Sequence, residues 1–338
     1  MVIRMFKNRF FIIVVFFLGV AVGLFLYKIN IFKEKTTAYL QIQRLYTPEG
    51  HLVNPLIKVE NPQDGDVKLE EIKYAIEEYI NKCKERGDVS SVSVYLRQLN
   101  YGTWIGVSED EHYAAASLIK VPLMMVYLKM AEKDPSILNK EIKYDTEINT
   151  QASQNIVPKN SLQLGNSYTV DELLSYMIVN SDNIASAILL KNIDFKLVSN
   201  IYSDLKISIP DLTEPENQIS AKDYATFFLV LYSCTYLTED LSEKAIKLLS
   251  KTEFKDGIVA GVPDNITVAH KFAERKYAGD IYSLKGSQLH DCGIVYYPNA
   301  PYLICIMTRG GDFNILEGII KNISKIVYES EEKVMALF

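Results

Sequence analysis

Apolar positions recur along this chain with two different periods. From Val67 onward, Leu69, Ile72, Ile76 and Ile80 fall at helical spacing. From Ser91 to Leu99 apolar and polar residues alternate as in a half-buried strand. Asn100-Tyr101-Gly102 then offers a turn into a second short strand at Thr103 to Val107. The pattern turns helical again at Leu118 to Ala131, which is apolar on most sides. Thr169-Val170-Asp171-Glu172 reads as a capping box ahead of Leu173, Leu174, Met177 and Ile178, and Ser220-Ala221-Lys222-Asp223 as another ahead of Tyr224 to Tyr232. Strand-like stretches return at Ile266 to Phe272, Cys292 to Tyr297 and Tyr302 to Thr308, and a helix from Asn314 to Leu337 closes the chain. Two strands, a helical block, three strands and a helix predict an α+β fold: a five-stranded antiparallel sheet flanked by terminal helices, with an all-helical lobe inserted.

The N-terminal part follows a different pattern. Phe10 to Tyr27 is an uncharged run of 18 residues, preceded by Arg4, Lys7 and Arg9 and followed by Lys28, Lys33 and Lys35. That length is near the minimum for a membrane span, and no clear small-residue cleavage site follows it. The expectation is an uncleaved signal anchor over 1–29, with a cleaved signal peptide as the alternative. Residues 30–66 carry Pro48, Pro55 and Pro62 without sustained apolar periodicity, which predicts a stalk, and 67–338 form the folded domain. The bulk of the chain is expected on the extracytoplasmic side of a cell membrane.

Composition excludes some functions. A net charge of −6 with no offsetting basic block argues against a nucleic-acid surface. Cys83, Cys234, Cys292 and Cys305 match no zinc spacing, and His51, His112, His270 and His290 include no pair at metal-ligand spacing, so no metal or cofactor is expected. Cys292 and Cys305 could face each other across a hairpin near Pro298-Asn299. Buried free thiols are the simpler expectation and a disulfide the alternative.

The candidate chemistry begins at Ser117-Leu118-Ile119-Lys120, at the start of the apolar helical run. A serine and a lysine three apart on a helix share a face, so the amine can take the serine's proton. Ser181-Asp182-Asn183 follows 64 positions later, and Val268-Ala269-His270-Lys271 later still. Either short motif alone is weak. Ser181-Asp182-Asn183 precedes a helical stretch, Ile184 to Leu190, so helix capping is a live alternative for Asp182. Order and spacing together describe a hydroxyl-amine cluster able to transfer an acyl group.

With these motifs in view, the chain resembles the class A β-lactamase and penicillin-binding serine hydrolase superfamily over about residues 68–338. The resembling stretches are Tyr113 to Pro122, Asn180 to Ser186, Gly261-Val262-Pro263 with Val268 to Lys271, and His290 to Tyr296 with Pro301-Tyr302. The resemblance implies Ser117 as nucleophile, Lys120 as its base, Ser181 as proton shuttle to the leaving nitrogen and Asn183 as a substrate-amide ligand. It implies Lys271 as partner of Ser181 and of the substrate's negative end, and the backbone N–H groups of Ser117 and Glu274 as the oxyanion hole. The implied substrate is a β-lactam or related amide, or a cell-wall peptide.

Three departures from the family bear on function. The Lys-Thr-Gly triad reads Lys271-Phe272-Ala273, which removes a carboxylate-binding hydroxyl and adds β-carbons to the substrate-binding edge. The arginine that often supports that carboxylate falls on Cys292, with Arg275 or Arg309 as possible substitutes. The loop carrying the deacylating glutamate is short: Glu214-Pro215-Glu216-Asn217 resembles its start, and an acidic turn is the simpler reading of Glu214. The expectation is a serine hydrolase working through an acyl-enzyme. Its competitors are a slowly deacylating penicillin-binding or peptidase-like enzyme and a binding module that keeps the fold without turnover.

Overall fold

The computed structural model describes residues 52–54, 66–148, 156, 158, 160–209, 217–276 and 286–335. Phe10 to Tyr27 and Glu214 lie outside them, and no helix among the described residues is long and apolar enough to cross a membrane.

Among the described residues, the chain builds a five-stranded sheet with helices on both faces and two small two-stranded ladders. Helix α1 (Asp66–Glu85) leads into β1 (Ser91–Gln98) and β2 (Trp104–Val107). The sheet is completed much later by β7 (Val268–Arg275), β8 (Ser287–Val295) and β9 (Tyr302–Gly310), and helix α8 (Phe313–Met335) closes the fold. All neighbours are antiparallel, in the order β2-β1-β9-β8-β7. This is the five-stranded arrangement that the two hydrophobic periods predict. Between β2 and β7 lie the short strands β3 (His112–Ala114), β4 (Glu141–Lys143), β5 (Ser167–Thr169) and β6 (Gln218–Ser220), with β3 paired to β6 and β4 to β5. The lobe helices are α2 (Lys120–Ala131), α3 (Val170–Val179), α4 (Asn183–Lys191), α5 (Phe195–Asp204), α6 (Ala221–Tyr232) and α7 (Glu239–Leu249). Both expected caps form: Thr169 and Glu172 make a reciprocal capping box, and the Ser220 hydroxyl accepts the Asp223 N–H.

Strand alternation divides the core. On β9, Leu303, Cys305 and Met307 join the cluster beneath the helical lobe, while Tyr302, Ile304 and Ile306 join the cluster under α1 and α8. Because the central strands are buried on both faces, polarity hid some of their length. β8 begins five residues before the expected Cys292, since Ser287, Gln288, His290 and Asp291 are polar yet buried. β7 runs on past Phe272 through Ala273, Glu274 and Arg275.

Two expectations change here. Cys292 and Cys305 are not free thiols but a disulfide: the β8–β9 register sets them directly opposite on the lobe-facing side, with Cα atoms 3.9 Å apart. Cys83 and Cys234 are free. Three residues of the segment read as a stalk, Leu52–Asn54, are held to the domain. The Glu243 carboxylate accepts the N–H groups of Leu52 (2.8 Å) and Val53 (3.1 Å), the Asn54 N–H reaches Tyr232 O at 2.8 Å, and the Tyr296 hydroxyl donates to Leu52 O at 2.6 Å. Val53 is buried in the lobe core.

Candidate active site

A single turn of 3₁₀-helix, Ala116–Ile119, runs directly into α2, so Ser117 and Lys120 are stacked one turn apart. The residue before the serine, Ala116, has φ +43°, and Ser181 has φ +54°. Left-handed backbone at non-glycine residues is costly and persists where the surroundings enforce it. Ser181 sits between the end of α3 and the start of α4, whose N-cap is Asp182: its buried carboxylate accepts the Ala185 N–H at 2.7 Å. The capping alternative for Asp182 therefore holds, and the cap fixes the turn that presents Ser181 and Asn183.

Ser181 joins two lysines. Lys120 Nζ donates to Ser181 O (2.7 Å), Ser181 Oγ (3.2 Å) and Asn183 Oδ1 (2.6 Å). Lys271 Nζ donates to Ser181 Oγ at 2.8 Å and to Phe272 O at 2.9 Å. Both amines are removed from water. Burial lowers Lys120 from the usual 10.5 to about 7, partly opposed by the negative charges of Asp182 and Glu274. Burial also pushes Lys271 well down, helped by the like charge of Lys120 and opposed by Asp291 and Glu274.

These groups line a cleft of about 200 Å³. Ser117, Lys120, Ser181 and Asn183 line it together with Phe272, Glu274 and Arg275 of β7, although the Phe272 side chain is itself largely buried. Lys271 and Ala273, alternating with them, are fully buried. The Phe272 ring stacks on Phe254 at 4.4 Å, and Glu274 Oε1 accepts the Ile156 N–H at 2.7 Å. The structure thus brings together Ser117, Lys120, Ser181, Asn183, Lys271, Phe272, Ala273 and Glu274. Of the two candidate arginines, Arg275 lines the cleft. Arg309 is engaged elsewhere, with Glu111 Oε1 (3.1 Å), His112 O (3.0 Å) and the Tyr113 ring.

Two features escaped the sequence reading. Ser186 also lines the cleft, and its place three residues after Asn183 on α4 was a usable signal. Behind β7, buried His270 Nδ1 meets Asp291 Oδ1 at 2.8 Å, and Asp291 Oδ2 accepts the Ile258 N–H at 2.9 Å. Nothing in the spacing of those residues announces the pair, which depends on the β7–β8 register. His290, packed edge-on to Tyr113, is kept neutral by burial, its pKa lowered to about 3. Among the described residues no group of three or more His, Cys, Asp or Glu is arranged to hold a metal ion.

The sequence model of the β-lactamase enzyme family matches residues 72–330, from within α1 to within α8, and takes in the residues that line the cleft. The chain belongs to the β-lactamase enzyme family. No curated protein matches it in sequence. Among solved structures, PBP-A is similar at 19% identity and TM-score 0.64, covering 82% of this chain and 99% of its own. A β-lactamase from Sphaerobacter thermophilus DSM 20745 is similar at 20% identity and TM-score 0.65, covering 75% and 95%. A class A β-lactamase from Mycobacterium abscessus follows at 18% identity and TM-score 0.64, covering 76% and 99%. Likeness at such identities establishes the β-lactamase fold. Within that fold, the cleft of this β-lactamase family chain is lined by Ser117, Lys120 and Ser181 beside the buried Lys271, and β7 adds Phe272, Glu274 and Arg275 to the lining.

Proposed function

We propose that the protein is a serine hydrolase that takes an acyl group from an amide or ester onto Ser117 and releases it slowly, in the manner of a penicillin-binding protein rather than a fast β-lactamase. The observation that carries this reading is the chain of two desolvated amines, Lys120 and Lys271, joined through the Ser181 hydroxyl beside Ser117. A neutral amine keeps two N–H donors and gains a lone pair. Lys120 can then retain its short bonds to Ser181 O and Asn183 Oδ1 while its lone pair accepts the Ser117 proton. The Ser117 oxygen attacks the substrate carbonyl, and the oxyanion is met by the N–H groups of Ser117 and Glu274. Ser181 passes a proton to the leaving nitrogen or oxygen, drawing on the lysines on either side. Glu214, the candidate base for the acyl-enzyme, lies outside the described residues, and slow release is inferred from the short loop that carries it.

Intact-protein mass spectrometry tests this. The full-length chain, incubated with a penicillin and with a fluorophosphonate, should gain an adduct that persists for minutes to hours and is absent in Ser117→Ala. An adduct that survives Ser117→Ala, or none with either reagent, would defeat the assignment. Rapid multiple turnover of penicillin would make it a working β-lactamase instead.

The hydrolase is also proposed to be anchored by Phe10 to Tyr27 with its domain outside the cytoplasm. The Cys292–Cys305 disulfide supports that side, since such bonds persist mainly in oxidising compartments. The full-length product is then expected to sediment with membranes and resist alkaline carbonate. A soluble product starting beyond residue 27 would identify a cleaved signal.

A further inference from the structure

We propose that Ser186 is a specificity-determining residue of the cleft, selecting acyl donors whose chain carries a second carbonyl one amide unit beyond the amide that Asn183 receives. The inference rests on the serine-hydrolase reading above and narrows its substrate class. Asn183 and Ser186 lie three apart on α4, and both line the cleft with Ser117. Residues at that spacing share a helix face, with Cβ atoms about 5–6 Å apart. The two side chains therefore offer neighbouring polar groups on one side of the cleft.

Both have bonding capacity to spare. Asn183 Oδ1 accepts the Lys120 amine at 2.6 Å, which leaves the amide NH2 for a substrate carbonyl. A serine inside a helix often spends its hydroxyl on the carbonyl four residues back. Ser199 does so with Phe195 O at 3.3 Å, and Ser330 with Ile326 O at 2.7 Å. Ser186 does not. Among the described residues its hydroxyl has no hydrogen-bond partner, and the carbonyl behind it, Asp182 O, is met by the Ser186 N–H at 3.3 Å. The other two serines of the cleft have work of their own: Ser117 is the nucleophile, and Ser181 is held between two lysines. Ile119 and Ile156 also line the cleft and offer no polar side-chain group. Neutral polar recognition away from the reacting atoms thus falls to Asn183 and Ser186. An extended chain advances about 3.3–3.6 Å per residue. An acyl chain with one amide at Asn183 and lying along α4 brings its next carbonyl within reach of the Ser186 hydroxyl. A hydrocarbon in that place would cover the half-buried hydroxyl without bonding it.

Three thioesters of one chain length and one thiol leaving group test the proposal on the full-length protein. The first carries two amides, as in an N-acylated glycylglycyl chain. The second replaces the outer amide by methylenes, and the third is a plain alkanoyl chain. Single-turnover acylation of Ser117, followed by intact mass, is expected to run about 3–10-fold faster for the first than for the second, the usual worth of one neutral hydrogen bond. Ser186→Ala, which suits a helix, should bring that ratio to within about twofold by slowing the two-amide donor. Ser186→Thr, which keeps the hydroxyl, should retain a preference for the two-amide donor. Equal rates for the first two donors in the unmodified protein, or a ratio unchanged in Ser186→Ala, would overturn the role of Ser186 while leaving the serine hydrolase standing. Failure of all three donors on a protein that a fluorophosphonate labels at Ser117 would overturn the donor class alone. Absence of every label would overturn the hydrolase reading as well.

Discussion

Lys120→Met is expected to slow acylation of Ser117 by about 10²–10⁴-fold, the usual contribution of a positioned base, and at the same time to make the folded protein more stable near neutral pH. The two effects share one cause. Lys120 is buried in its hydrogen-bonded niche and titrates near 7 in place of the usual 10.5. As a base it works when neutral, so acylation by the unmodified protein should climb about tenfold per pH unit below pH 7 and level off above it. In the unfolded chain the same amine holds its proton up to about 10.5. Between the two values the unfolded state binds more protons, so stability rises with pH across that window and is flat below it. At pH 7 the buried lysine therefore costs stability, on the order of 2–4 kcal/mol, partly offset by the hydrogen bonds it gives Ser181 and Asn183. Removing it should reduce the pH dependence of the melting temperature between about pH 7 and 10, leaving the part that the buried Lys271 contributes. A variant that keeps its acylation rate, or that melts lower at pH 7, would remove Lys120 from the role of buried base.

Asp291→Ala should cost about 3–5 kcal/mol, the range for breaking a buried charged partnership. Asp291 lies on β8 directly opposite Phe272 of β7, with no exposure to solvent. One oxygen meets His270 on β7 and the other accepts the Ile258 N–H at the 3₁₀ turn Ile258–Gly261, so alanine strands two buried groups at once. Asp291→Asn, which keeps the shape and part of the bonding, should lose less, about 1–3 kcal/mol. Gly257 belongs to the same packing: a Cβ there would run into the Asp291 carboxylate. Urea unfolding of the two variants beside the unmodified protein measures the difference. A loss below about 1 kcal/mol for Asp291→Ala would mean that the pair does not hold the turn against the sheet.

The parts of the fold legible in the sequence were those in which one face is apolar and the other is not. Leu69, Ile72, Ile76 and Ile80 gave α1, and the alternation from Ser91 gave β1 almost to the residue. The capping box at Thr169 and the N-cap at Ser220 were readable because capping is local. What stayed hidden depends on partners distant in sequence. Ser287, Gln288, His290 and Asp291 look like a loop until β9 pairs with them and β3 meets Gln288 and His290. The three- and four-residue strands around the lobe have too few positions to show a period. The cleft's lysines and serines were named from their motifs, but the geometry that joins Lys120 to Lys271 through one hydroxyl comes from the left-handed turn at Ser181, which no residue type signals. The His270–Asp291 pair was hidden for the same reason as the disulfide, because both are products of register.

The Cys292–Cys305 bond therefore bears on how the chain comes to be folded. Side chains on a strand alternate, so a slip of one residue between β8 and β9 would send the two sulfurs to opposite faces of the sheet. In the observed alignment the two face each other. Cys292 is also opposite Lys271 across the β7–β8 ladder. The bond thus locks the β8–β9 alignment, and β8 in that alignment is the strand against which the Lys271 strand is laid.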